Sequence, residues 1–175
     1  MTESTALLIR PVTAADVDRL AALQEASILR LGAPVYGEQK ARAWARMGWQ
    51  FKHVLLGEGA FFMAERAGEA LGVGGWSPDS LDGELAWIRY LFVDPDHVRQ
   101  GIGRRLVERA EGSAAAAGRP RFDVWSSCNA EPFYAALGYR RIRPARWPVP
   151  GGLELDNVLM SKRWHAAAAP AAGHR

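Results

Sequence analysis

From Glu84 to Ala117 the chain reads ELAWIRYLFVDPDHVRQGIGRRLVERAEGSAAAA, and this stretch limits its folding options more than any other. Glu84 to Asp94 is a long, mostly apolar run that predicts a buried strand. Leu106, Val107, Ala110 and Ala114 recur on one face and predict a helix from Gly103 to about Ala117. A glycine turn between a strand and a helix lets backbone N–H groups converge on one spot, and the helix dipole adds to their field. Arg99, Arg104 and Arg105 crowd this helix start, where basic side chains are normally unfavourable. They make sense if an anion such as a diphosphate occupies the turn; a tight turn with solvated arginines is the alternative. A dinucleotide-binding GxGxxG fingerprint would need glycine at 106, where Leu106 stands. A P-loop would need lysine and then serine or threonine after its second glycine, and Arg104-Arg105 follows instead.

Composition narrows the class further. With 175 residues, 49% hydrophobic and 23% charged, the chain suits one globular domain with a sizeable core. Its net charge of +3 comes from 22 basic and 19 acidic residues, and the arginines form no continuous block. Nucleic-acid binding is therefore not indicated, and an anionic small ligand explains a local excess equally well. The one cysteine, Cys128, allows no disulfide framework. His53, His97, His165 and His174 show no metal-ligand spacing. The N-terminus lacks the pattern of a signal peptide, and no apolar run is long enough to span a bilayer. The expectation is a cytoplasmic protein with no metal, no membrane and no nucleic acid among its partners.

Along the chain, Ala6 to Arg10 predicts a short strand stopped by Pro11. Thr13 caps a helix on which Val17, Leu20, Ala21, Gln24 and Ile28 share a face. A second helix is expected from Glu38 to Met47. Beyond a turn at Gly57-Glu58-Gly59, two strands join around Ala67-Gly68-Glu69. The long strand and helix follow, then a strand at Arg121 to Ser126 and a short helix at Pro132 to Leu137. Strands at Tyr139 to Arg143 and Glu154 to Lys162 flank a loop, PARWPVPGG. The order β-α-α-β-β-β-α-β-α-β-β predicts a single α/β (α+β) domain over residues 1–164. Its mixed, mostly antiparallel sheet would have about six to seven strands and about four flanking helices. The tail at 165–175 has no packing pattern and is expected to be disordered.

Two segments carry a resemblance to a known family. YLFVDPDHVRQGIGRRLVERAE resembles the acetyl-CoA-binding motif [RQ]xxGx[GA] of the GNAT N-acetyltransferase superfamily. NAEPFYAALGY, Asn129 to Tyr139, is similar to the family segment N-x-x-A-x-x-FY-x-x-x-GF. The strand order from about Leu7 to Trp164 agrees as well. The chain departs at the first motif position, which is Val98, and Ala130 sits one residue after Asn129 rather than at the motif's alanine.

The resemblance implies direct acetyl transfer from acetyl-CoA to a primary amine of a small molecule or peptide. It implies a cofactor site at Leu91, Phe92, Val93, Arg99, Gln100, Gly101, Ile102, Gly103, Arg104 and Asn129. Leu91 to Val93 would meet the pantetheine arm through their main chain, and a β-bulge there would splay this strand from the next. Tyr134 would be the general acid, with a packed tyrosine bonded to backbone as the alternative. For the base, Glu84 and Asp82 stand at the strand's start, and water relayed by backbone carbonyls is the other candidate. Cys128 could act as a nucleophile only with a paired base or a helix N-terminus; no histidine is near it in sequence, and a small buried cysteine is the reading preferred. The acceptor pocket is expected from Tyr36, Trp76, Trp87 and Trp147, whose rings suit an apolar body carrying an amine; a core-filling role for Trp76 and Trp87 is equally open. Glu38 either meets a cationic acceptor or is solvated. A non-catalytic acyl-CoA-binding sensor is the second reading, and a homodimer is compatible with a domain of this class.

Overall fold

A computed structural model describes residues 6–47 and 59–164. One seven-stranded sheet organises the chain, in the order β1-β2-β3-β4-β5-β7-β6. Its strands are β1 (Leu8–Pro11), β2 (Ala60–Arg66), β3 (Glu69–Pro78), β4 (Leu85–Val93), β5 (Arg121–Ser127), β6 (Arg140–Val149) and β7 (Leu153–Arg163). All neighbours are antiparallel except β4 and β5. The expected mixed, mostly antiparallel sheet is therefore present.

Helices cover both faces. On one side lie α1 (Val17–Ser27), α2 (Ala33–Tyr36) and α3 (Glu38–Ala45). Leu20 and Leu23 of α1 pack on Met63 and Val73, and Ala43 of α3 packs on Val149 and Leu155. On the other side lie α4 (Ile102–Ala116) and α5 (Glu131–Ala136). There Val107, Ala110 and Ala114 join Ala86, Ile88, Phe122, Val124, Tyr134 and Tyr139 in the main core. A buried charge cluster fixes the start of the first helical layer. Asp16 accepts from Thr13 N (2.8 Å) and pairs with Arg10 (2.8 Å) and Arg19. Hydrogen bonds from Arg10 hold its carboxyl far below the usual carboxylate range.

Small residues let α4 approach the sheet closely. A Cβ on Gly72 of β3 would lie 2.9 Å from Leu106 Cδ1 and 3.0 Å from Ile102 Cγ2. Both belong to α4, so glycine at 72 sets how near the helix start sits to β3 and β4.

The structure differs from the sequence reading at three places. Pro11 is the last residue of β1 instead of its stop. The region between α1 and α2 is a π-helical turn, Ile28–Gly32, so the first helices run almost without a break until Gly37 (φ 81°). Most of PARWPVPGG is strand: β6 continues to Val149, with Pro144 opposite Val158 and Pro148 opposite Glu154. Those prolines are tolerated because β6 is the sheet's edge, where a missing N–H breaks no ladder. The turn expected at Gly57-Glu58-Gly59 and the tail at 165–175 lie, save Gly59, outside the described residues.

Gly72→Ala should cost about 1–3 kcal/mol, because the added methyl overpacks against Leu106 and Ile102. A urea unfolding series should show a lower midpoint with an unchanged slope; an unmoved midpoint would mean that α4 has room to recede.

Candidate active site

The site begins with a defect in strand pairing. β4 and β5 pair only at Leu85↔Arg121, Ala86↔Phe122 and Trp87↔Asp123. Beyond Trp87 the two strands part. On the other side of β4, Val73 faces Phe92 and Gly75 faces Arg89, so Tyr90 and Leu91 together oppose Gly74. This is a β-bulge, and Tyr90 has a left-handed backbone (φ 56°) that costs a non-glycine residue roughly 1–2 kcal/mol. The extra residue shifts the alternation of side chains. Ala86 and Ile88 face α4 before the bulge, while Leu91 and Val93 do so after it. Tyr90 and Phe92 turn to α1, where they meet Leu20, Leu23, Met63 and Val73.

Two cavities meet where the strands part. The inner cleft, about 190 Å³, has Trp44, Trp87, Trp125 and Trp147 in its walls, with Arg89, Ser127, Tyr134 and Asn157 as polar groups. The outer cavity, about 770 Å³, runs to the start of α4 past Val93, Arg99, Gly101, Gly103, Arg104 and Asn129. Trp44, Leu91, Phe92, Ser127 and Ala130 belong to both.

The start of α4 is built to hold a negative charge. Gly101 precedes the helix in a left-handed conformation (φ 78°), and Arg99 two residues earlier is left-handed too (φ 66°). The first-turn N–H groups have no intrahelical acceptors, and no side chain caps them. No acidic residue occupies the first turn. Gly103 has a different role from that of an open phosphate seat. A Cβ there would lie 3.3 Å from the ring of Phe133 and 3.6 Å from Val93 Cγ2, so this glycine lets α5 close against the helix start.

Tyr134 lies on α5, buried, and its side chain reaches the inner cleft. Its ring packs edge-on against Phe133 (5.1 Å) and Tyr139 (5.3 Å). Among the described residues its hydroxyl is not hydrogen-bonded to backbone, the alternative the sequence left open. Burial, reinforced by the charge of Glu111, raises its pKa well above that of an ordinary phenol. Glu111 is itself buried and accepts from the hydroxyl of Tyr139 (2.8 Å) and from Lys162 Nζ (2.7 Å).

The other sequence candidates divide. Trp87 and Trp147 line the inner cleft. Trp147 does so from strand β6, opposite Leu155, and not from a loop. Trp76 is buried in the core, where its indole donates to Ser113 Oγ of α4 (3.1 Å), so it lines neither cavity. Tyr36 acts beside the cleft: its hydroxyl donates to the Asp156 carbonyl (2.8 Å) and accepts from Cys128 N (2.8 Å). Burial raises its pKa above the usual phenol range. Ile102 turns its side chain into the core. Gln100 sits outside the cavity and accepts from Arg66 (3.4 Å). Glu84 is exposed at the closed end of the β4–β5 pair, away from both cavities, and Asp82 pairs with Arg121 there (2.9 Å). Glu38 pairs with Arg42 on the surface (3.1 Å). Cys128 is exposed and not the buried cysteine expected, because it follows β5 at the start of a short 3-10 turn; its Sγ lies 3.0 Å from the Asp156 carbonyl, with no base beside it among the described residues. His97 meets Asp94 (3.2 Å) at the outer cavity, and His53, His165 and His174 fall outside the described residues. No group of three or more His, Cys, Asp or Glu among the described residues could hold a metal ion. No described helix is long and apolar enough to cross a membrane.

Trp44 and Trp125 were not legible as site residues. Trp44 lines both cavities, and its ring packs over Gly32 of the π-helical turn, where a Cβ would lie 3.4 Å from Trp44 Cζ3, a contact that periodicity does not display. Trp125 alternates correctly on β5, yet only the parting from β4 makes it a wall.

Residues 57–141 match the acetyltransferase (GNAT) domain. The chain is 31% identical to a GCN5-related N-acetyltransferase of Rhodopseudomonas palustris, with a TM-score of 0.79 over 93% of this chain and 98% of that one. It belongs to the GNAT family of N-acetyltransferases. An uncharacterised N-acetyltransferase of Methanocaldococcus jannaschii is 33% identical over 108 residues, which are 57% of this chain and 47% of that protein, so the match spans about half of that relative. The fold is shared with the PaiA N-acetyltransferase of Thermoplasma acidophilum, solved in complex with coenzyme A, at 17% identity and a TM-score of 0.75 over 91% and 99% of the two chains.

Tyr36, Tyr134 and Tyr139 all have raised pKa values, burial being the first cause for each. The fold therefore holds these phenols protonated. The stability this supplies is full below the unfolded phenol value of about 10 and is lost as pH rises beyond it. Absorbance titration at 295 nm should show no more than one of the four tyrosines ionising reversibly before alkaline unfolding. Reversible ionisation of two or more would contradict the burial of these hydroxyls.

Proposed function

We propose that the chain is an acetyl-CoA-dependent N-acetyltransferase that moves an acetyl group directly to a primary amine of a small molecule or peptide. The observation that carries this reading is the junction of the two cavities at the bulge, between the uncapped start of α4 and the hydroxyl of Tyr134. The residues fit such a co-substrate. The α4 N–H groups, Gly101 and the arginines at 99 and 104 would take the pyrophosphate, with Asn129 on the facing wall. The β4 main chain at Leu91 to Val93, unpaired toward β5, would take the amides of the pantetheine arm. Acetyl-CoA supplies a thioester, so the new C–N bond forms as the C–S bond breaks and the thiolate leaves.

The chain's own residues then have two tasks. Tyr134 holds a proton where the sulfur would lie and donates a hydrogen bond that strengthens as charge grows on the departing thiolate. The amine must lose its proton to attack. Among the described residues no carboxylate or imidazole lines the inner cleft, so water held by Ser127, Asn157 and bulge carbonyls is the proposed acceptor. Glu84 and Asp82 are too far along β4 to serve directly. A sensor that binds acyl-CoA without turnover is disfavoured by the unbonded phenol in the cleft.

Acetyl-CoA and CoA should both raise the melting temperature, since each binds only the folded state, and adenosine should do so much less. Equal shifts from all three would contradict a phosphate cradle. Gly103→Val should weaken this binding by pressing on Phe133, with the fold retained.

Tyr134→Phe keeps the ring packing and removes only the hydroxyl. Single-turnover acetyl transfer should fall roughly 10²–10⁴-fold with acetyl-CoA affinity little changed. A near-parental rate would remove Tyr134 from the chemistry.

A further inference from the structure

The inner cleft is positively charged and aromatic. Among the described residues no carboxylate lines it, and Arg89 is its one fully charged side chain. Arg89 Nε donates to Ser77 Oγ (2.7 Å), and among the described residues the guanidinium has no ion-pair partner. Other arginines of this chain are neutralised: Arg121 pairs with Asp82 and Arg141 with Glu131. The Arg89 guanidinium lies 5.8 Å from the ring centre of Trp87. Trp87 stacks on Trp125 at 5.5 Å and 11°, and Arg143 lies 5.4 Å over Trp125. Two cations without an ion-pair partner among the described residues thus border a pair of stacked indoles. The acid beside them, Asp79, does not line the cleft. It already accepts from the Trp87 indole (2.8 Å) and from the backbone N–H groups of Leu81 and Asp82.

We infer that the acceptor carries its own carboxylate: an amino carboxylate with an aromatic or large apolar body, whose acid group is read by Arg89. This rests on the acetyltransferase reading above. An acceptor with positive charge alone would meet repulsion from Arg89 that is appreciable at contact distance in a partly buried site. A carboxylate matches the guanidinium fork, whose two terminal nitrogens make no hydrogen bond among the described residues. The indoles of Trp87, Trp125, Trp44 and Trp147 supply the surface for the apolar body.

The test separates binding from turnover. Quenching of tryptophan emission in the full chain would report binding of 3-phenylpropionate, an acid without an amine, and of 2-phenylethylamine, an amine without an acid. The acid should bind more tightly. Arg89→Gln should weaken it roughly 10- to 100-fold while leaving the amine's affinity unchanged or improved. Arg89→Lys, which keeps the charge and loses the fork, should lose less. The melting shift with acetyl-CoA checks that each variant is folded. Thiol release from acetyl-CoA should then be faster with phenylalanine than with phenylalaninamide or spermidine. Equal or tighter binding of the amine, no binding of the acid, or an Arg89→Gln variant with unchanged acid affinity would overturn the inference. So would faster turnover of the amide or of spermidine, which would leave the acetyltransferase reading intact. Selective binding of the acid with no thiol release from any amine would support the carboxylate site and sink the acetyltransferase reading.

Discussion

The site depends on the moment when β4 stops pairing with β5. Two parallel strands joined along their length would bury their N–H and C=O groups in each other and leave no entry into the sheet. Here only three residue pairs form before the bulge at Tyr90 and Leu91 turns β4 away. The freed edge must satisfy its backbone groups elsewhere, because unpaired buried amides are costly. A ligand with amides of its own can do this, so on the proposed reading the defect in the sheet and the seat for a linear amide-bearing arm would have one cause. Left-handed backbone at Tyr90 and Arg99 adds roughly 1–2 kcal/mol of strain each. Both residues stand at cavity walls, where strained backbone tends to concentrate.

Glycines place the other half of the site. Gly72 on β3 lets Ile102 and Leu106 settle onto the sheet, and Gly103 on α4 lets Phe133 close over the helix start. The two contacts hold α4 so that its first turn borders the outer cavity. Arg104 and Arg105 would destabilise this helix end in an empty protein. On the proposed reading that cost is offset by attraction for an anion, and Glu108 offsets part of it by facing Arg104 at 3.7 Å.

Much of this was legible in the chain. The run from Glu84 through the glycines to Ala117 foretold β4, its turn and α4 within a residue or two, because apolar periodicity and glycine placement are local signals. A bulge near Leu91 to Val93 came from the family resemblance and stands at Tyr90 and Leu91. The rest failed for physical reasons. Pro144 and Pro148 read as loop because position at a sheet edge is a property of topology, not of the local sequence. Trp76 and Trp87 have the same side-chain chemistry, yet one bonds to Ser113 under α4 and the other walls the cleft. Their difference lies in which face of the sheet each strand turns to α4. Trp44 was missed because its place in the walls depends on how α3 packs against Gly32 of the π-helical turn, a tertiary contact.

The phenol of Tyr134 has a constraint of its own. Burial and Glu111 keep it protonated well beyond the working range, so it is always available as a donor. Those same influences make it a reluctant acid: a simple thiol has a pKa of roughly 8.5, below that of even an unperturbed phenol near 10. On the proposed reading, complete proton transfer from Tyr134 to a departing thiolate is therefore uphill. A hydrogen bond that strengthens as charge grows on sulfur is not, because it stabilises the transition state without leaving a phenolate beside Glu111. The Glu111–Lys162 pair then sets the balance. Lys162 Nζ, 2.7 Å from Glu111 and 5.4 Å from the Tyr139 ring, offsets part of the negative charge behind the phenol. Removing that lysine would leave Glu111 uncompensated and push Tyr134 further toward a pure hydrogen-bond donor.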